Sequence, residues 1–88
     1  MKLIITIISD NDNEPVSQAL IGGGFRVTRI ASTGGFFRKG SSTLMIGVND
    51  ERVDEAIQVV RQSTSPVNDP MLKRATLFVI PVENFTQI

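Results

Sequence analysis

Residues 42–60 read Ser-Thr-Leu-Met-Ile-Gly-Val-Asn-Asp-Glu-Arg-Val-Asp-Glu-Ala-Ile-Gln-Val-Val, and their hydrophobic period changes at Asn49. Over Ser42–Val48, Leu44, Ile46 and Val48 alternate with Thr43, Met45 and Gly47, the two-residue period of a strand. Beyond it, Val53, Ala56, Ile57 and Val60 fall at i, i+3, i+4 and i+7, one face of a helix. Asn49 or Asp50 is the expected cap. Asp50 and Glu51 suit the positive end of that helix, and Arg61 suits its negative end. A strand that feeds directly into an amphipathic helix is half of a βαβ unit.

The first part of the chain reads the same way. Lys2–Ser9 (KLIITIIS) is rich in β-branched residues, with Leu3, Ile5 and Ile7 opposing Ile4, Thr6 and Ile8. Asp10–Asn13 is polar, Pro15 fits the first turn of a helix, and Val16, Ala19 and Leu20 share its apolar face. Gly22-Gly23-Gly24 ends that helix, because glycine supplies the left-handed conformation that a helix stop needs. Phe25–Ser32 reads as a second strand, Thr33–Gly40 as a loop, Ser63–Pro70 as another loop, and Lys73–Val82 as the last strand. The order βαββαβ is the split pattern of an α+β, ferredoxin-like fold. It predicts a four-stranded antiparallel sheet with two helices on one face, all 88 residues forming one domain. Phe78 and Ile80 oppose Leu77 and Val79 in the last strand, so both sheet faces carry apolar residues. Two helices cover only one. An uncovered apolar face predicts a homo-oligomer packed through it.

Composition narrows the chemistry. Cysteine, histidine, tryptophan and tyrosine are absent, which excludes disulfides, Cys/His zinc sites and any Cys or His nucleophile or base. No Ser has a candidate base near it in sequence and no two acids form a plausible acid–base pair, so an enzyme is not expected. Asp10, Asp12 and Glu14 alternate like the start of a calcium loop, but Pro15 stands where the glycine belongs, so no metal is expected. They read instead as a helix cap with acidic first-turn residues. Nine basic residues balance nine acidic ones, giving no reason to expect a nucleic-acid polymer as partner. The apolar N-terminus is too short for a membrane span and lacks the marks of a signal peptide, so the expected location is the cytoplasm.

The charge and the glycines are unevenly placed. All seven glycines lie between Gly22 and Gly47, and residues 15–49 contain Arg26, Arg29, Arg38 and Lys39 but no acid. The loop Ser32-Thr-Gly-Gly-Phe-Phe-Arg-Lys-Gly-Ser-Ser42 holds most of the interest. Gly34 and Gly35 let backbone N–H groups converge on an anion, Arg38 and Lys39 add charge, and Phe36 or Phe37 offers a ring to a flat base. A phosphate-bearing nucleotide would use all of these. Gly-Gly in a loop is more often turn chemistry, and paired phenylalanines more often cap the edge of a core.

Phe25-Arg-Val-Thr-Arg-Ile-Ala-Ser-Thr-Gly-Gly-Phe-Phe-Arg-Lys-Gly40 followed by Thr43-Leu-Met-Ile-Gly-Val-Asn-Asp-Glu-Arg-Val-Asp54 resembles the cyclic di-AMP receptors of the PII-like signalling superfamily, a bacterial family. The opening Met-Lys-Leu-Ile-Ile-Thr-Ile and the closing Val79-Ile-Pro-Val-Glu-Asn-Phe-Thr-Gln87 are similar to the same family. The resemblance implies a PII-like homotrimer with a nucleotide, cyclic di-AMP or a related adenine nucleotide, in each cleft between subunits and no catalytic cofactor. It implies that Arg26 faces a phosphate, Thr28 bonds adenine, Gly35, Phe36 and Phe37 enclose a base, Gly47 leaves room and Gln87 completes the pocket. An unidentified target protein would read the ligand state. Two departures stand out: Gly24 and Ser41 occupy positions near the ligand where members of the family carry asparagine, Ser41 keeping a hydroxyl for the ligand and Gly24 keeping no side-chain group, and the Ser63–Pro70 connection is short. They keep open an alternative, a structural or protein-interaction trimer of the same fold that no longer binds nucleotide.

Overall fold

The computed structural model describes residues 1–31, 40–66 and 74–88. Its elements run β1 (Lys2–Ser9), a 3-10 turn (Asp10–Asp12), α1 (Asn13–Gly22), β2 (Arg26–Ala31), β3 (Ser41–Val48), a second 3-10 turn (Asp50–Arg52), α2 (Val53–Ser63) and β4 (Ala75–Pro81). The sheet order is β2-β3-β1-β4, and every neighbouring pair is antiparallel. This is the α+β, ferredoxin-like arrangement predicted from the period changes.

The alternation in β1 and β3 decides which side each residue takes. Ile4, Ile8, Leu44, Ile46 and Val48 meet Val16 and Leu20 of α1 and Ala56 and Val60 of α2 in one buried cluster. Each fully buried Leu or Ile there stabilises the fold by about 1.5–3 kcal/mol. Among the described residues, no helix lies on the opposite side of the sheet. On it Leu3, Ile5 and Met45 are half-buried, and Phe78 and Ile80 stay 44% and 40% exposed.

Several boundaries differ from the sequence reading, each for a local reason. Neither Asn49 nor Asp50 caps α2. Asn49 starts the 3-10 turn without a side-chain bond, and the N-cap position of α2 falls on Arg52. Ser9, not an acid, caps the first turn by accepting from the Asn11 N–H at 3.3 Å. Asp12 is buried and makes no cap bond; it accepts from the backbone N–H and hydroxyl of Ser65, at 3.1 and 2.7 Å, tying the start of α1 to the end of α2. Asp10 accepts from the Ser42 hydroxyl at 2.6 Å, and its N–H donates to the Gly40 carbonyl at 2.7 Å. In β2 a bulge between Arg29 and Ala31 interrupts the alternation, leaving Ile30 54% exposed.

Candidate functional site

The end of α1 sets where the site begins. The Phe25 N–H donates to the Leu20 carbonyl and the Gly24 N–H to the Ile21 carbonyl, at 3.0 and 2.9 Å. Gly24 lies at φ +86. These two bonds around one left-handed residue make a Schellman stop, the function assigned to the glycine run. Phe25 then turns into the core at 6% exposure, and Arg26, the next residue and the first of β2, faces the other way.

Registry across the sheet places the predicted residues. Arg26 lies opposite Gly47, Gly47 opposite Leu3, and Leu3 opposite Ile80, forming one row on the face without helices. Thr28, Met45, Ile5 and Phe78 form the next row. The structure therefore brings Arg26, Thr28 and Gly47 together at the open edge of the sheet. Beside them is a pocket of ≈ 160 Å³ walled by Met1, Gly24, Arg26, Gly47, Asn49 and Arg52 among others. The space above Gly47 is shared with Met1: a Cβ there would stand 3.2 Å from the Met1 methyl. Met1 is held in place because its ammonium lies 3.0 Å from Asp50 Oδ1. That hydrogen bond, helped by Lys2, holds the Asp50 carboxyl below its ordinary value.

Other predicted residues lie elsewhere. Ser41 is buried at the opposite end of β3, six residues from Gly47, a span of about 20 Å in an extended strand. Its hydroxyl has no hydrogen-bond partner among the described residues. Gln87 is exposed in the segment after β4, and β4 is the edge strand opposite β2. Gly34, Gly35, Phe36 and Phe37 lie outside the described residues.

Sequence reasoning missed Arg52. Its Nη2 donates to the Gly23 carbonyl at 2.8 Å, its guanidinium carbon sits 4.1 Å from the centroid of the Phe25 ring, and Glu55 accepts from Nε and Nη2 at 3.0 and 2.8 Å. These bonds hold the Glu55 carboxyl low and raise the guanidinium further. The only available signal was a cation at the start of a helix, where the dipole disfavours it. A second cleft, ≈ 170 Å³ between α2 and β4, is lined by Ile57, Leu77, Arg61 and Arg74 among others and contains none of the predicted site residues. No helix among the described residues is long and apolar enough to cross a membrane.

Comparison with known proteins identifies the family. Over 99% of its length the chain is similar to 96% of a crystallised protein of unknown function from Pediococcus pentosaceus ATCC 25745, with 32% identity and a TM-score of 0.79. A family model described as cyclic-di-AMP receptor matches residues 1–71, which include α1, β2, β3 and every wall of the Arg26 pocket. The chain belongs to the cyclic-di-AMP receptor family.

Proposed function

We propose that this protein is a non-enzymatic cytoplasmic receptor that binds cyclic di-AMP between the subunits of a homotrimer and passes the ligand state to a target protein. The observation that carries the reading is the row of Arg26 beside Gly47, with Thr28 next to it, on the face that no helix among the described residues covers. A guanidinium on the edge strand offers a charge-assisted fork to a phosphate, while over the neighbouring Gly47 the room a side chain would fill is shared with the Met1 methyl, which a ligand must displace to approach the backbone. Thr28, two residues along the same strand face, offers a hydroxyl to a base edge.

Size supports a shared site. A pocket of ≈ 160 Å³ is well below the about 300–1,000 Å³ of ligand sites that enclose a small molecule. A second copy packed on the open face would supply the missing wall while covering Ile80, Ile5 and Leu3. Gly34, Gly35, Phe36, Phe37 and Gln87 are proposed as further residues that contact the nucleotide. Ser41 is buried, its hydroxyl included, at the other end of β3, so it is not proposed as a contact of this pocket.

Isothermal titration of the full chain with cyclic di-AMP, cyclic di-GMP, ATP, ADP and AMP tests this. The expected result is saturable heat with cyclic di-AMP at a fixed stoichiometry per trimer, and weaker or no heat with the others. Absence of heat with every nucleotide at high micromolar concentration, from a protein that still assembles, would leave the structural trimer as the better reading.

A further inference from the structure

Arg52 stands where local chemistry disfavours it. It ends the 3-10 turn that runs into α2, its own N–H bonded to the Asn49 carbonyl at 2.9 Å. A cation there meets the positive end of the helix. Locally inconsistent residues of this kind are commonly functional. The contacts of Arg52 point backwards along the chain, to the residues that precede Arg26. Nη2 holds the Gly23 carbonyl, 29 positions away, at the negative end of α1, where the unpaired carbonyls welcome a cation. Nη1 lies 3.7 Å from the place a Cβ on Gly24 would take, and the guanidinium covers the Phe25 ring. Gly23 and Phe25, on either side of Gly24, are thus both held by a single side chain, which the two-bond fork to Glu55 fixes in place. Arg52 and Arg26 wall the same pocket.

We infer that Arg52 is a positioning residue of the ligand site: it clamps the turn from which Arg26 enters β2, and so sets where the Arg26 guanidinium meets a phosphate. This rests on the reading of Arg26 as a phosphate ligand given above. Arg52 need not touch the ligand. Its charge and its planar fork are both required, because a lysine ammonium cannot hold Glu55 through two bonds while covering a ring.

A double-mutant cycle decides it. Cyclic di-AMP affinity is measured by titration for the wild type, Arg26→Ala, Arg52→Gln and the double variant, with Arg52→Lys as the conservative comparison and thermal melts run on each. Arg52→Gln is expected to lose affinity by about tenfold and Arg52→Lys to recover only part of it, a coupling of ordinary size for connected side chains. Once Arg26 is alanine, the second substitution should cost nothing further. Losses that multiply in the double variant, or an Arg52→Gln protein that binds like the wild type, overturn the inference and leave the proposed receptor function standing. A wild type that gives no heat overturns both. Should Arg52→Gln fail to fold, Glu55→Gln, which frees the fork while keeping the arginine, takes its place in the cycle against Arg26→Ala on the same criterion.

Discussion

At the scale of single residues, two glycines of one run do opposite work. Gly24 sits at φ +86, while Gly22 is the last residue of α1 and a Cβ added to it would meet nothing within 4 Å. At Gly24 a Cβ would meet only Arg52 Nη1, at an ordinary 3.7 Å, so the obstacle to a side chain is conformational and not steric crowding. Gly24→Ala is expected to destabilise by about 1 kcal/mol, the left-handed penalty less the gain from a stiffer unfolded chain. Gly22→Ala is expected to stabilise by about 0.5–1 kcal/mol through helix propensity. Thermal melts should separate the two variants on opposite sides of the wild type, each by about 4–8 °C per kcal/mol. A Gly24→Ala protein that melts at or above the wild type would refute the Schellman account. The glycine run was legible as a helix stop because left-handed backbone selects glycine whatever the tertiary context. Which of the three glycines carries the positive φ was not legible, since it depends on where Phe25 enters the core.

At the scale of elements, the strands were far easier to read than the helix starts. Leu44, Ile46 and Val48 against Thr43, Met45 and Gly47 gave the two faces of β3 directly, because a strand buried on one side fixes its own parity. The bonds that cap and tie the helices span long stretches of sequence: Ser65 to Asp12 over 53 positions, Ser42 to Asp10 over 32, Arg52 to Gly23 over 29. No local pattern encodes them. The turn before α2 carries a testable consequence. The Asp50 carboxyl is lowered from 3.8 chiefly by the hydrogen bond from the Met1 ammonium, and that of Glu55 from 4.5 chiefly by its bonds from Arg52. Both groups bind their proton less readily when folded, so their contribution is fully present above those ordinary values and fades as pH falls through the lower, folded ones. With no histidine in the chain, the melting temperature should change little between about pH 5.5 and 7 and drop below about pH 4.5. Glu55→Gln should flatten the upper part of that drop in melts taken from pH 3 to 7. A variant with the same slope as the wild type would mean that the Arg52–Glu55 fork contributes nothing to stability.

At the scale of the whole molecule, the uncovered sheet face joins fold to function, since the row that contains Arg26 and Gly47 ends in the apolar pair Leu3 and Ile80. Polar chemistry at the β2 edge and apolar surface at the β4 edge suit the proposed ring of identical subunits, in which the apolar half would pack against neighbours and the polar half would face the cleft between them. Ile80 is 40% exposed in the isolated chain. Replacing it by glutamate would place a charge in the packed surface, where an unpaired carboxylate costs far more than in water. Sedimentation equilibrium should find the wild type at three times its 9.6 kDa and Ile80→Glu at the monomer mass, with similar far-ultraviolet circular dichroism. Because the cleft disappears with the neighbour, Ile80→Glu should also lose cyclic di-AMP binding although no ligand contact is assigned to Ile80. If the variant stays trimeric, this part of the sheet is not the interface. If it becomes monomeric and binds as tightly as the wild type, the pocket beside Arg26 is complete within one chain and the shared site is wrong.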